Sequence, residues 1–211
     1  MNRKRPRDLG IAALLTVAAV FIMTGCGSHS GPPAPGATAS KGGQDSGQRI
    51  DIKRGKDPDA SQINLTPKDI TVEDLLAEQI PADMKGDLQD YGDKRIGDFE
   101  KSTFRLTGTL KSVIKRKDGD YFLVVAGKSG RTAVVEVPDP DLTKGSALQS
   151  QIEATRQSIE DKYHPTDKRK DINQPVTIDG VGFYGTQGKA GASGGNRPPR
   201  LMPGTGFKAG K

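Results

Sequence analysis

Apolar and polar positions change their rhythm five times along this chain. From Leu9 to Met23 the residues are almost all apolar, and then Gly, Pro, Ala and Ser dominate from Gly27 to about Gln48. Val72, Leu75, Leu76 and Ile80 fall on one stripe at helical period, behind a capping Thr71 and acids in the first turn, and Pro81 stops the run. From Ser102 the period drops to two. Thr103–Ile114 alternates apolar and polar positions, Tyr121–Ala126 returns as a short apolar strand, and Arg131–Val137 forms a third strand that ends at Pro138. The connections are Lys117-Asp118-Gly119-Asp120, with the favoured Asp-Gly pair, and Gly127-Lys128-Ser129-Gly130. Helical period then resumes from about Ser146 to Tyr163, where Leu148, Ile152, Thr155, Ile159 and Tyr163 share one face. Pro175–Tyr184 reads as a further strand whose glycines suit a bend.

The ends of the chain read as an address and a tail. A basic Arg3–Arg7 run, a short apolar core and small residues before Cys26 describe a secretory signal peptide over 1–25. The apolar run falls short of the roughly 20 residues that a membrane-spanning helix needs. Residues 26–65 read as an anchor followed by a disordered tether, because so few apolar side chains cannot offset the entropy of ordering. About 38 such residues reach roughly 35 Å. Residues 66–100 read as an acidic helical segment, residues 101–185 as the folded domain, and residues 186–211 as a Gly/Pro-rich basic tail. Arg200–Lys211 predicts at most one short edge strand, since Pro198, Pro199 and Pro203 interrupt the pattern.

Charge divides along the same boundaries. Residues 57–100 carry a net −8 and residues 162–211 a net +6, while the whole chain is formally +6. The basic end could attract nucleic acid, acidic glycan or anionic lipid, or could pair with the acidic half of its own chain. Cys26 is the only cysteine, so no intrachain disulfide can form.

Met23-Thr24-Gly25-Cys26 resembles the lipobox of bacterial lipoproteins. That resemblance implies cleavage before Cys26, lipid on its thiol and amine, and a bacterial cell-envelope location on a membrane that the protein does not cross. Gly27 and Ser28 offer no inner-membrane Asp signal, which favours the outer membrane in a cell that has one.

Leu106-Thr107-Gly108-Thr109-Leu110 resembles the bent first strand of an OB-fold, and Val176-Thr177-Ile178-Asp179-Gly180-Val181 resembles its fourth. Over residues 102–185 the chain is also similar to a group of uncharacterised exported bacterial proteins. The fold expected is mainly β with one long helix: an OB-fold-like small barrel in the order β-β-β-α-β, preceded by a short helix and the tether. The prolines leave its fifth strand, and therefore its closure, open.

Little in the sequence points to catalysis. His29 and His164 are the only histidines, and neither stands in a nucleophile–base or metal-ligand pattern. Gly127-Lys128-Ser129 lacks the first glycine of a phosphate-binding loop and reads as a hairpin turn. Asp87, Asp90, Asp93 and Asp98 lack calcium-loop spacing, and Asp139 and Asp141 read as caps. No enzyme activity, cofactor or metal is expected. OB-folds bind along the face of their second and third strands, which here carries Lys115, Arg116, Lys117, Tyr121, Lys128 and Arg131 as candidate ligand-binding residues. Because strands alternate faces, only one of Tyr121 and Phe122 can point outward. Three functions fit: docking of another envelope protein, binding of single-stranded nucleic acid or acidic glycan by the basic hairpin, and a purely structural role at the surface.

Overall fold

A computed structural model describes residues 49–82, 91–185 and 198–210. Cys26, His29 and most of the tether lie outside the described residues. The described residues open with a short helix α1 (Ile50–Arg54), followed by strand β1 (Asn64–Ile70) and helix α2 (Val72–Ala77). Strands β2 (Ser102–Lys115), β3 (Tyr121–Ala126) and β4 (Thr132–Val137) then form a meander. Helix α3 (Gln149–Tyr163) separates them from β5 (Lys170–Phe183) and β6 (Arg200–Ala209). The fold is mainly β, built on one six-stranded sheet.

The strands are ordered β1-β2-β3-β4-β6-β5, and β5 also pairs with β2, so the sheet returns on itself. Strand β2 makes this possible. Its residues Thr103 to Val113 pair antiparallel with β5, while its other edge takes β1 in parallel up to Leu106 and then β3 from Thr109 onward. Gly108 lies in the interval between them. A Cβ there would stand 2.6 Å from the Ala126 carbonyl oxygen and 2.7 Å from Val125 Cγ1, so only glycine admits β3 this closely.

The expected apolar stripes enclose one core. Leu106, Leu110, Val113, Leu123, Val125, Val135 and Val137 point inward from the meander, Val176 and Ile178 from β5, and Leu201 from β6. Leu148 at the N-cap of α3 and Ile152, Ile159 and Tyr163 within it join the core, as the helical spacing predicts. Thr71 caps α2 by accepting the Asp74 N–H at 3.0 Å. Gly119 and Gly130 take positive φ in the two hairpins.

The described residues correct three sequence expectations. Within the supposed tether, Arg49–Arg54 and Ala60–Gln62 are ordered. The acidic helical segment opens with a strand, and its helix is only six residues long. The supposed basic tail contains β6, a ten-residue strand that pairs with both β4 and β5. Pro203 fits there because the β5–β6 register shifts between Gly180 and Gly182, leaving a gap in the ladder where no N–H is needed. Gly204 lets the strand close against β4, since a Cβ would lie 2.8 Å from Val137 Cγ2.

The early segment is fastened by two buried ion pairs. Arg49 forks onto Glu100, with Nη1 to Oε1 at 2.8 Å and Nη2 to Oε2 at 2.5 Å. Arg95 forks onto Asp57 at 2.9 and 2.6 Å and donates to the Glu100 carbonyl at 2.8 Å. All four side chains are fully buried. Glu100 also accepts the N–H groups of Ile96 and Tyr184, at 2.7 and 2.8 Å. Removing one partner of such a pair strands a buried charge, which costs about 3–5 kcal/mol. Glu100→Ala is therefore expected to lower the urea-unfolding free energy by about that much; a loss below about 1 kcal/mol would show that the clamp is not needed.

Candidate functional site

The two hairpins that carry the predicted basic residues lie at opposite ends of β3. Lys115, Arg116 and Lys117 lead into the first turn, and Lys128 and Arg131 flank the second. A six-residue strand separates them by roughly 17 Å, so the five cations do not form one cluster. At the second turn Glu73 of α2 reaches over. It accepts the Ser129 N–H at 2.9 Å and the Ser129 hydroxyl at 2.5 Å. These two bonds from Ser129 hold the Glu73 carboxyl below its ordinary value, with a smaller contribution from the charge of Arg131. The acidic segment thus attends to this basic turn within the chain.

Tyr121 is a correction. It is only 4% exposed and belongs to the core. Its hydroxyl donates to the Glu160 carboxylate, and the Arg156 guanidinium lies 3.6 Å from its ring centre. Burial, and then the bond to Glu160, push the phenol up to about 12. The aromatic that faces outward is Phe122, with Arg116 5.5 Å from its ring centre.

Phe122 belongs to an apolar strip on the outer side of the sheet. It pairs with Ile114 on one side and Glu136 on the other, and two residues along Val124 pairs with Val134. Ile114, Phe122, Val124 and Val134 are all half-buried. Beside them opens a cleft of about 590 Å³ between Val124, Thr132, Lys111 and the start of β5. Its rim is tied by Lys111 Nζ donating to Asn173 Oδ1 at 2.7 Å and by Arg169 Nε donating to Asp171 Oδ1 at 3.1 Å. At the far edge of the strip Arg200 donates to Glu136, both of them buried.

Arg169 belongs to a basic run that sequence reasoning left out of the site. Lys168, Arg169 and Lys170 are exposed and lie next to the first hairpin, because Lys115 N–H donates to the Thr166 carbonyl at 2.7 Å and Val113 pairs with Lys170. A signal was available: Lys-Arg-Lys-Asp occurs both at Lys115–Asp118 and at Lys168–Asp171.

Other candidates resolve simply. His164 caps α3 in the left-handed region with its side chain 75% exposed, Nδ1 being 3.8 Å from Glu160 Oε1. Gly127–Gly130 is the β3–β4 turn, and Asp139 caps the short helix Pro140–Leu142 by accepting the Asp141 N–H. Among the described residues no three acidic, histidine or cysteine side chains gather to hold a metal, and no helix is long and apolar enough to cross a membrane. No family model matches this chain, and no curated protein does either.

Among the described residues, Asp120 carries a strongly raised carboxyl. It accepts the Asp139 N–H at 2.8 Å. Burial lifts its pKa from 3.8 to about 7, with Asp118 and Glu136 adding to the rise and the Asp139 N–H and Arg156 opposing it. The folded state therefore holds this proton more tightly than the unfolded chain does. Its contribution to stability is complete below the unfolded value of 3.8 and is lost as pH rises toward about 7. Asp120→Asn keeps a neutral acceptor. The variant is expected to match the parent near pH 4 and exceed it near pH 8 by up to about 4 kcal/mol in urea unfolding. Parallel curves for the two proteins would refute this.

Proposed function

We propose that this chain is a lipid-anchored bacterial envelope protein whose OB-like module docks a protein partner on the outer face of β2, β3 and β4. The observation that carries the reading is the strip of Ile114, Phe122, Val124 and Val134 on the outward side of a sheet whose inward side already encloses a complete core. Half-buried apolar residues ringed by Lys111, Thr132, Arg116 and Arg169 have the plan of a protein interface, apolar at the centre and polar at the rim. A partner with an apolar anchor and acidic surroundings would match it.

The OB-like reading is supported by the circuit β2-β3-β4-β6-β5 and back to β2, with α3 inserted after the third strand of the circuit. That is a five-stranded Greek-key arrangement, and OB-folds bind across the second and third strands, here β3 and β4. The anchor rests on Met23-Thr24-Gly25-Cys26 and the signal-like run before it. Two acyl chains on Cys26 would bind a membrane stably without a spanning helix.

Two experiments test the reading. Tagged protein captured from gently solubilised envelopes should bring down a defined partner that survives nuclease and high salt, and Val124→Glu should abolish its recovery while thermal stability is preserved. Undiminished recovery with Val124→Glu would exclude this face. Cys26→Ser should shift the protein from the membrane to the soluble fraction; retention on membranes after an alkaline wash would exclude the lipid anchor.

A further inference from the structure

We infer that the cleft beside the apolar strip selects for acid: Lys111 and Arg169 recognise a protein partner whose apolar anchor is flanked by carboxylates, and Asp171 is the internal acid which that partner displaces. The inference rests on the docking face proposed above and assigns its specificity. Lys111 and Arg169 line the cleft together with Val124 and Ile172, so two cations stand at the edge of an apolar floor. The strand register explains their position. Both partners of β2 shift register between Leu110 and Ser112, which leaves Lys111 as the unmatched residue. Beyond it, one row across four strands reads Val134, Val124, Ser112 and Asp171. Neighbouring strands lie about 4.8 Å apart, so the row passes from apolar to charged within two steps of Val124.

Both cations keep donors in reserve. Lys111 Nζ donates to the Asn173 amide oxygen at 2.7 Å, a neutral partner that leaves its charge uncompensated. Arg169 donates to Asp171 through Nε at 3.1 Å, and its two terminal nitrogens have no partner among the described residues. A guanidinium with that edge open can fork onto a second carboxylate. The Arg169–Asp171 pair is open to water, its side chains 62% and 84% exposed. Such a pair contributes little to stability, so a carboxylate that arrives with apolar burial displaces Asp171 at small cost. Arg116, also exposed, rests on Phe122 at the other end of the strip. Glu136, on the β4 side, is buried on Arg200. At the strip, then, Lys111, Arg116 and Arg169 face one exposed acid, Asp171.

This charge balance separates the acidic partner from two other occupants. A second copy of the chain, meeting strip to strip about a two-fold axis, would set one cationic rim against another. Single-stranded nucleic acid is held by bases stacked on aromatic rings, and here the Phe122 ring carries Arg116 while Tyr121 is buried beneath Arg156. In a protein interface of this plan the apolar centre supplies most of the affinity, and rim charges set selectivity and the rate of association.

The test uses the full chain in non-ionic detergent and three labelled octapeptides: Gly-Glu-Glu-Leu-Leu-Glu-Glu-Gly, the same peptide with Lys for Glu, and the same peptide with Ser for Leu. At roughly 50 mM salt the first should bind at least about tenfold more tightly than either of the others. Its advantage over the lysine peptide should shrink to below about threefold near 1 M salt, where charges are screened within about 3 Å. Lys111→Ala with Arg169→Gln should collapse the same advantage to below about threefold at low salt. Asp171→Asn should instead raise affinity for the glutamate peptide by about two- to fivefold, a gain that a merely structural rim would not show. Unchanged melting temperatures certify the variants. The inference is overturned by equal affinity for the glutamate and lysine peptides, by equal affinity for the leucine and serine peptides, or by absence of binding. It is equally overturned by undiminished selectivity in the double variant, by weaker binding after Asp171→Asn, by tighter binding of oligothymidylate, or by self-association that Val124→Glu abolishes. Partner capture through Val124 is a separate readout: if Val124→Glu abolishes capture while the peptides show no charge preference, the docking face stands and its assigned specificity falls.

Discussion

Two forked ion pairs hold residues 49–57 to residues 95–100, and their balance of costs decides whether that segment is part of the fold. Burying an arginine and a carboxylate costs several kcal/mol per ion before any attraction is counted. The geometry around Glu100 offsets that cost. Its two oxygens accept from both Arg49 nitrogens and from the backbone of Ile96 and Tyr184, so no lone pair faces an apolar wall without a donor. Arg95 joins Asp57 to the Glu100 carbonyl and so links the two pairs. With residues 49–57 fixed to 95–100, the chain between can deliver β1 to the edge of β2 and Val72 and Leu75 to the core.

The second dependence lies in β2. One edge of this strand serves β5 along nearly its whole length, and the other is shared between β1 and β3, an arrangement that requires Gly108 where β3 arrives. Closing the circuit through β6 seals the interior, and α3 lies against β6 with its stripe inward. Apart from Glu136, buried on Arg200 of β6, the side chains that point outward from β3 and β4 do not line the core. A strip of apolar residues on that side has no folding reason, and the docking reading begins from this.

Much of the sheet was legible because each part rests on a local rule. Alternation gave the meander, Asp-Gly gave its first hairpin, and the stripe from Leu148 to Tyr163 gave α3. Long-range partners were not legible. Tyr121 and Phe122 alternate correctly, but which one turns inward depends on Arg156 and Glu160, more than thirty residues away. The glycines and prolines of β6 imitate a tail because glycine in a tight inter-strand contact looks in sequence like glycine in a loop. The candidate site divided in the same way. Lys115, Arg116 and Lys117 of its first hairpin stand out in the sequence, whereas the neighbouring Lys168–Lys170 are brought beside them only by the β2–β5 register.

Net charge misleads for a related reason, and the choice between arginine and lysine corrects it. The buried cations among the described residues are Arg49, Arg95, Arg156 and Arg200, with no lysine among them. A guanidinium presents five donors in a planar fork and is more weakly hydrated than an ammonium, so it can be satisfied inside by a carboxylate or by several carbonyls. Arg156 does the latter, donating to the carbonyls of Val137, Pro138 and Gly119. Such residues count toward a basic composition yet leave no guanidinium on the surface for a partner to grip. Arg200 illustrates the point: it adds to the basic tally of the C-terminal segment while lying buried on Glu136. What remains for a ligand is the charge that the fold leaves outside, Lys115–Lys117 and Lys168–Lys170 included. Placement, not the sum, sets where an anionic partner would be drawn.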